Sequence, residues 1–369
     1  MRLSRFHKLL AAGLFLLIAV AITFDAGAQI NRKSVKKNNK RIASFRGKKA
    51  HFGKDKVYNT VGVSLNALNY YGDLSPLSSR FSTDISFTRP AIGLSFVHRF
   101  GPRYTLVGSF LYGTLKGSDN DSADPDDVNA RFRYVRNLEF RSRIKELSAV
   151  AVFDLYENMA TYISRVKWTP YAGLGLAVFH HEPKARVPAT DLNGVAFTNA
   201  GEWVKLRPLG TEGQYSTLDP GDVNSGIKKY KNIQAAIPGM VGARFRLNEV
   251  VDLWAELGFR YTFTDYLDDV SGNYVDLGVF GNNELAKALS YRSNEPVVQD
   301  SNNENITAIT SNTQTYTGRD GTTYTVVSGF GREHPENLRG KSGQKDLYMV
   351  TSFRLTYIIG KTFHRAKFR

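Results

Sequence analysis

The sequence predicts an all-β protein, an eight-stranded antiparallel transmembrane β-barrel with short periplasmic turns and long extracellular loops. Three observations lead there. Between residues 57 and 360, apolar and polar side chains alternate with period two in eight stretches, each close to the 9–11 residues that cross an outer membrane at a tilt. The connections between these stretches are short and long by turns. No mature segment has the roughly 20 unbroken apolar residues of a membrane helix, and the 369 residues include no cysteine, which excludes a disulfide framework, a thiolate metal site and a cysteine nucleophile.

Residues 1–28 begin with Arg2, Arg5 and Lys8, continue through an apolar run, and end in Ala26-Gly27-Ala28. This is the pattern of a secretory signal peptide cleaved before Gln29. Residues 29–56 follow with eleven Lys and Arg against Asp55, among them Arg32, Lys33, Lys36, Lys37, Lys40 and Arg41. Residues 361–369 add four more cations. The formal charge of +15 therefore sits at the ends and leaves 57–360 nearly neutral. Segments so basic and so poor in apolar residues cannot bury enough surface to fold alone. They are expected to be flexible periplasmic arms, either solvated tails that keep the precursor soluble or arms that dock on an acidic protein or an anionic lipid surface. An exported chain makes nucleic acid an unsuitable partner.

The eight expected strands are 57–67, 90–100, 104–115, 145–153, 168–179, 233–245, 251–263 and 347–357. The second and third are joined by Gly101-Pro102-Arg103, the fourth and fifth by residues 154–167, and the sixth and seventh by 246–250. The other connections are much longer, including an Asn-, Ser- and Thr-rich insertion at 281–345. Tight turns at one end and large loops at the other distinguish a membrane barrel from a soluble sandwich. An even strand count returns both termini to the periplasmic side.

Alternation assigns the faces. In the seventh strand Val251, Leu253, Ala255, Leu257, Phe259, Tyr261 and Phe263 point to lipid, and Asp252, Trp254, Glu256, Arg260 and Thr262 point inward. The eighth strand turns Arg354 inward, the sixth Arg244 and Arg246, and the fourth Glu146. Unpaired ions away from water are very costly, so Glu146 and Glu256 are expected to bridge to Arg244, Arg260 or Arg354. Side chains fill the lumen of an eight-stranded barrel, leaving no open pore and no small-molecule substrate. Aromatic residues at strand ends suggest two interfacial girdles: Tyr58, Phe100, Tyr104, Phe153, Trp168, Tyr171 and Phe245 below, and Tyr70, Tyr112, Phe179 and Tyr261 above.

Three constellations invite a chemical reading. His180-His181-Glu182 could be metal ligands, but adjacent residues on a strand project to opposite faces, which favours a surface or interfacial role. Asp265, Asp268 and Asp269 could hold calcium, although their spacing lacks the glycine and terminal glutamate of a calcium loop; a turn in which the aspartates accept backbone N–H groups is the simpler expectation. Gly210-Thr211-Glu212-Gly213-Gln214 has no lysine and no strand-to-helix setting for a phosphate. A barrel hydrolase would need His180 or His181 beside Asp265. No cofactor and no catalytic residue is expected.

Several runs resemble PorG-type proteins, outer-membrane components of the type IX secretion system of gliding and periodontal Bacteroidetes. They are Tyr70-Tyr71-Gly72-Asp73-Leu74, Arg89-Pro90, the run from Arg136 through Asn137 and Phe140 to Arg141 with Glu146-Leu147, Pro170-Tyr171, the run from Arg207 through Gly210-Thr211-Glu212-Gly213-Gln214, and the run from Thr262 through Thr264-Asp265-Tyr266 and Asp268-Asp269 to Ser271. The resemblance implies a non-enzymatic role, in which the barrel ties a periplasmic ring of PorK- and PorN-type proteins to the outer membrane. The basic arm and the 281–345 insertion depart from the pattern. An adhesin acting through its long loops is the alternative.

Overall fold

Each barrel strand arises where period-two alternation lets one row of side chains fill a lumen and the other face outward. The computed structural model describes residues 52–53, 56–74 and 87–359. The leader, the arm cations Arg32, Lys33, Lys36, Lys37, Lys40 and Arg41, and the 361–369 tail lie outside the described residues.

In chain order the strands are β1 (Tyr58–Tyr71), β2 (Arg89–Arg99), β3 (Tyr104–Ser118), β4 (Glu139–Asp154), β5 (Trp168–His180), β6 (Pro183–Arg186), β7 (Trp203–Lys205), β8 (Ile233–Arg246), β9 (Val251–Thr262), β10 (Thr313–Thr317), β11 (Thr323–Val327) and β12 (Leu347–Ile359). Eight of them, β1 to β5 with β8, β9 and β12, close into an antiparallel barrel: β1 pairs with both β2 and β12, and β3 with β4. The short strands β6 and β7 extend the sheet beyond β4. The hairpin β10–β11 stands apart.

The outward row is apolar around the ring. Val63 and Leu65, Ile92 and Leu94, Leu106 and Phe110, Leu147, Leu174 and Leu176, Val241, Leu257 and Phe353 are all exposed. Such a continuous exposed belt is the surface that hydrocarbon, rather than water, solvates. Strand β4 begins six residues earlier than the expected 145, because its outward residues Arg141, Arg143 and Lys145 are charged and hide the apolar half of the alternation.

The girdles need correction at four positions. Phe100, Tyr104, Phe153, Trp168 and Phe245 are exposed at the short-turn end, and Tyr112 and Tyr261 at the other, but Tyr58, Tyr171, Tyr70 and Phe179 are buried inside. Parity explains each. Tyr171 and Phe179 share the inward register of Thr169, opposite to Trp168, and Tyr58 and Tyr70 share that of Thr60, opposite to Val61.

The insertion at 281–345 is folded rather than a polar extension. Helices α1 (Asp119–Ser122) and α2 (Arg131–Arg136) come from the β3–β4 connection; the insertion supplies α3 (Glu284–Ser290), α4 (Pro296–Gln299) and α5 (Glu304–Thr310) with the β10–β11 hairpin. Val135 of α2 joins Tyr274, Leu277, Tyr291, Val298, Ile306, Tyr324, Val326 and Phe330 in a second apolar core above the barrel mouth. Two of the asparagines that gave the segment its polar look are helix caps. Asn283 accepts from the Ala286 N–H, and Asn303 from those of Asn305 and Ile306, satisfying donors that a helix start leaves orphaned.

Candidate functional site

Inward alternation stacks the buried charges of the lumen in tiers. At the short-turn end, Asp154 accepts from Arg99 at 2.9 Å and from Arg244. Beside it, the 155–167 turn folds under the barrel so that Arg165 meets Asp252 at 2.6 Å and donates to the carbonyls of Glu249 and Asn248. Tyr162 of the same turn packs on Tyr58 and Ile358. In the middle tier Arg354 donates to Glu256 at 2.8 Å, Tyr171 donates to the same carboxylate at 2.9 Å, and the Trp254 ring lies between the Arg244 and Arg354 guanidiniums. In the upper tier Arg260 lies 3.1 Å from Glu146, which also accepts from Tyr348 at 2.6 Å. The space left among these groups is a cavity of about 20 Å³, room for about one water. The lumen is filled rather than open.

The long-loop end is closed by a polar seam built from the runs that carry the resemblance. Tyr70 donates to Asp268 at 2.6 Å and lies 3.0 Å from Asp346. Burial first, and then neighbouring carboxylates, hold Asp268 and Asp346 well above the usual carboxylate range. Burial also pushes Asp265 and Asp269 up to about 6. Asp269, at a left-handed φ of 70°, accepts from Thr211 and Tyr230, both at 2.5 Å. Glu212 accepts the backbone N–H groups of Ser271 and Gly272 and a 3.0 Å contact from Arg339. The 207–214 and 262–271 runs therefore interlock directly. Arg136 ties in the β3–β4 connection by donating to Asp119, to the Asp73 carbonyl and to the Arg339 carbonyl. Asn137, itself left-handed at φ 54°, donates to the Arg292 carbonyl at 3.2 Å.

Most of the remaining motif residues are structural parts of the same seam. Asp73 accepts from the Lys341 N–H at 2.9 Å. Gly72 and Gly340 sit where a Cβ would strike Asp346 and Asp73, at 2.1 and 2.6 Å. Phe140 is fully buried and meets Tyr70 edge-on at 4.7 Å. Gln214 accepts from the Glu212 N–H, which closes the glycine-bounded turn between Gly210 and Gly213, both at positive φ. Thr264 accepts from the Tyr266 N–H, and Tyr266 stacks on Tyr230 at 4.8 Å. Arg89 and Pro90 open β2.

Residues 50–191 match the model of DUF6089, a domain of unknown function. No curated protein matches the chain. Among solved structures, the chain is similar to the attachment invasion locus protein Ail of Yersinia pestis (7% identity, TM-score 0.29, covering 82% of this chain and 97% of that one). It is similar also to Neisserial surface protein A (8%, TM-score 0.30, 82% and 96%) and to the outer membrane protein OprG of Pseudomonas aeruginosa (8%, TM-score 0.32, 83% and 98%). The fold is a closed eight-stranded antiparallel barrel.

The candidate chemistry is drawn apart. Asp265 accepts from Ser271, Asp268 from Tyr70 and the Val270 N–H, and Asp269 from Thr211 and Tyr230, so the three carboxylates face different partners. His180 ends β5 half-exposed, but His181 is buried, a correction to the surface role expected for the pair. The chain turns inward after β5, and His181 stacks between Phe179 and Tyr230 while Nε2 contacts the Lys231 carbonyl at 3.1 Å. Burial lowers it to about 4. His181 and Asp265 thus have separate partners. Arg246 reaches the Ile163 carbonyl at the rim rather than a lumen carboxylate. Sequence reading missed Arg99, Arg165 and Arg339, and took Arg136 only as part of a motif run. Arg99 shares the inward parity of β2 and was open to the same reasoning, whereas the other three lie in connections where no strand alternation exists.

Proposed function

We propose that this protein is a non-enzymatic outer-membrane component of the type IX secretion machinery, anchoring a periplasmic ring of PorK- and PorN-type proteins. The observation that carries the reading is the lumen closed at both ends, by Arg165 and Asp252 below and by the Tyr70–Asp268–Asp346 seam above. A barrel filled in this way offers its ends and its outer wall for work. Support for the particular machine comes from the PorG-like runs, which meet in one seam. The chain enters β1 and leaves β12 at the short-turn end, where Asn59 pairs with Ile359. On this reading that end faces the periplasm, and the arm at 29–56 and the tail at 361–369 reach the ring.

The test is recovery of neighbours. Full-length tagged protein is cross-linked in cells, extracted in detergent and its partners identified by mass spectrometry. Ring proteins should be recovered in quantity. An intact, heat-modifiable barrel that brings none of them overturns the assignment.

A further inference from the structure

The outer wall changes chemistry abruptly above the apolar belt. Going up the outward row of β4, Phe153, Ala151, Ala149 and Leu147 are followed by Lys145, Arg143 and Arg141. The change falls at Tyr112, an exposed aromatic directly opposite Lys145. At the level of Arg141, the register sets Lys116 of β3, Arg141 of β4, Lys184 of β6 and Lys205 of β7 side by side across four strands.

Like charges directly opposite one another destabilise a sheet. Part of this row is neutralised from within: Lys116 meets Asp121 at 2.8 Å, and Glu182 meets Lys205 at 2.7 Å and Lys184 at 3.5 Å. Arg141, Arg143 and Lys145 form no ion pair with a carboxylate among the described residues. Aromatic faces hold the two guanidiniums instead. Arg141 lies 4.2 Å from the centre of the Trp203 ring, and Arg143 lies 5.8 Å from that of Tyr112. A guanidinium set beside an aromatic ring rather than a carboxylate keeps its N–H groups available for bidentate contact with an oxyanion. Arg141, Arg143 and Trp203, with Lys116, Lys184 and the already paired Glu182 and Arg186, line a recess of about 450 Å³, far larger than one phosphate ion and within the range of a small-molecule site.

We infer that this recess binds the phosphorylated headgroup of a lipid in the leaflet around the long-loop end, with Arg141 and Arg143 gripping phosphate and Trp203 covering its flank. The inference rests on the membrane reading, because it needs the belt below to hold the acyl chains. The placement favours lipid over a soluble anion: the cations begin where the apolar wall stops, which is the depth of a headgroup.

The test uses the full chain in neutral detergent and, separately, reconstituted in phosphatidylcholine vesicles. The probes are diphosphorylated lipid A, its dephosphorylated form and inorganic phosphate, with bound lipid counted by native mass spectrometry. Diphosphorylated lipid A should bind saturably, the dephosphorylated form should not, and R141Q/R143Q should weaken binding on the order of tenfold. The R141K/R143K pair, which keeps charge but loses the planar fork, should fall between. The basic arm is common to every variant, so these differences read the recess alone. Unchanged binding in R141Q/R143Q, or inorganic phosphate displacing the lipid at millimolar concentration, overturns the inference. Failure of the wild-type chain to enter vesicles overturns the membrane reading itself, whereas entry without lipid A binding overturns only this site.

Discussion

Arg260 on β9 and Glu146 on β4 are not strand neighbours, and their 3.1 Å contact crosses the lumen. Both are buried, so removing one partner leaves an unpaired ion away from bulk water. Glu146→Leu or Arg260→Leu should each cost about 3–5 kcal/mol, read as an earlier urea midpoint for loss of the compact gel form. The double variant should regain most of that loss. It falls short of full recovery because Tyr348, which donates to Glu146 at 2.6 Å, loses its acceptor.

Gly340→Ala tests whether cap and barrel separate energetically. The added Cβ would lie 2.6 Å from Asp73 Oδ2, 2.7 Å from Val270 and 2.8 Å from the Ser271 nitrogen. The expected cost is about 1–3 kcal/mol, typical of overpacking, borne by the seam. Protease should then cut within 281–345 while the barrel keeps its heat-modifiable mobility.

The seam should tighten in acid. Asp265 and Asp269 are pushed up to about 6, and Asp268 and Asp346 well above the usual range, chiefly by burial. These four carboxyls therefore bind more protons in the folded cap than in the opened one, against the opposing effect of buried His181, and the cap's stability falls as pH rises from the ordinary carboxylate range through about 6 and beyond. Amide exchange of residues 264–272, corrected for intrinsic rates, should be slower at pH 5 than at pH 8. Faster exchange at pH 5 would contradict the assignment of raised carboxyls.

Removal of residues 29–56 should weaken co-purification with the ring, and more so in low salt than in high. Exposed charges act over about 8 Å at physiological ionic strength and less as salt rises. Equal recovery with and without the arm would retire arm docking.

Most of the barrel was legible because lipid imposes a simple rule: every spanning strand alternates, and every inward charge needs a partner. Glu256, Arg260 and Arg354 were found by parity alone. Parity failed where residues leave the sheet. Arg165 and Arg339 act from connections, and nothing in their local sequence says that one folds beneath the lumen and the other over it. The cap was hidden for a different reason. Its apolar residues are spread over the 119–138, 206–232, 264–280 and 281–345 segments, so none looks like a core until all are assembled. Asn283 and Asn303 read as low complexity when they are in fact the starts of helices.

The contact between Tyr70 and Asp346 joins positions 276 residues apart. One sits near the end of the first barrel strand and the other immediately before the last, and these two strands make the final pairing that shuts the ring. The clasp therefore depends on the register of that pairing. A slip of the last stave against the first would carry Asp346 away from Tyr70, so a latched lid reports that the two have met in the right alignment.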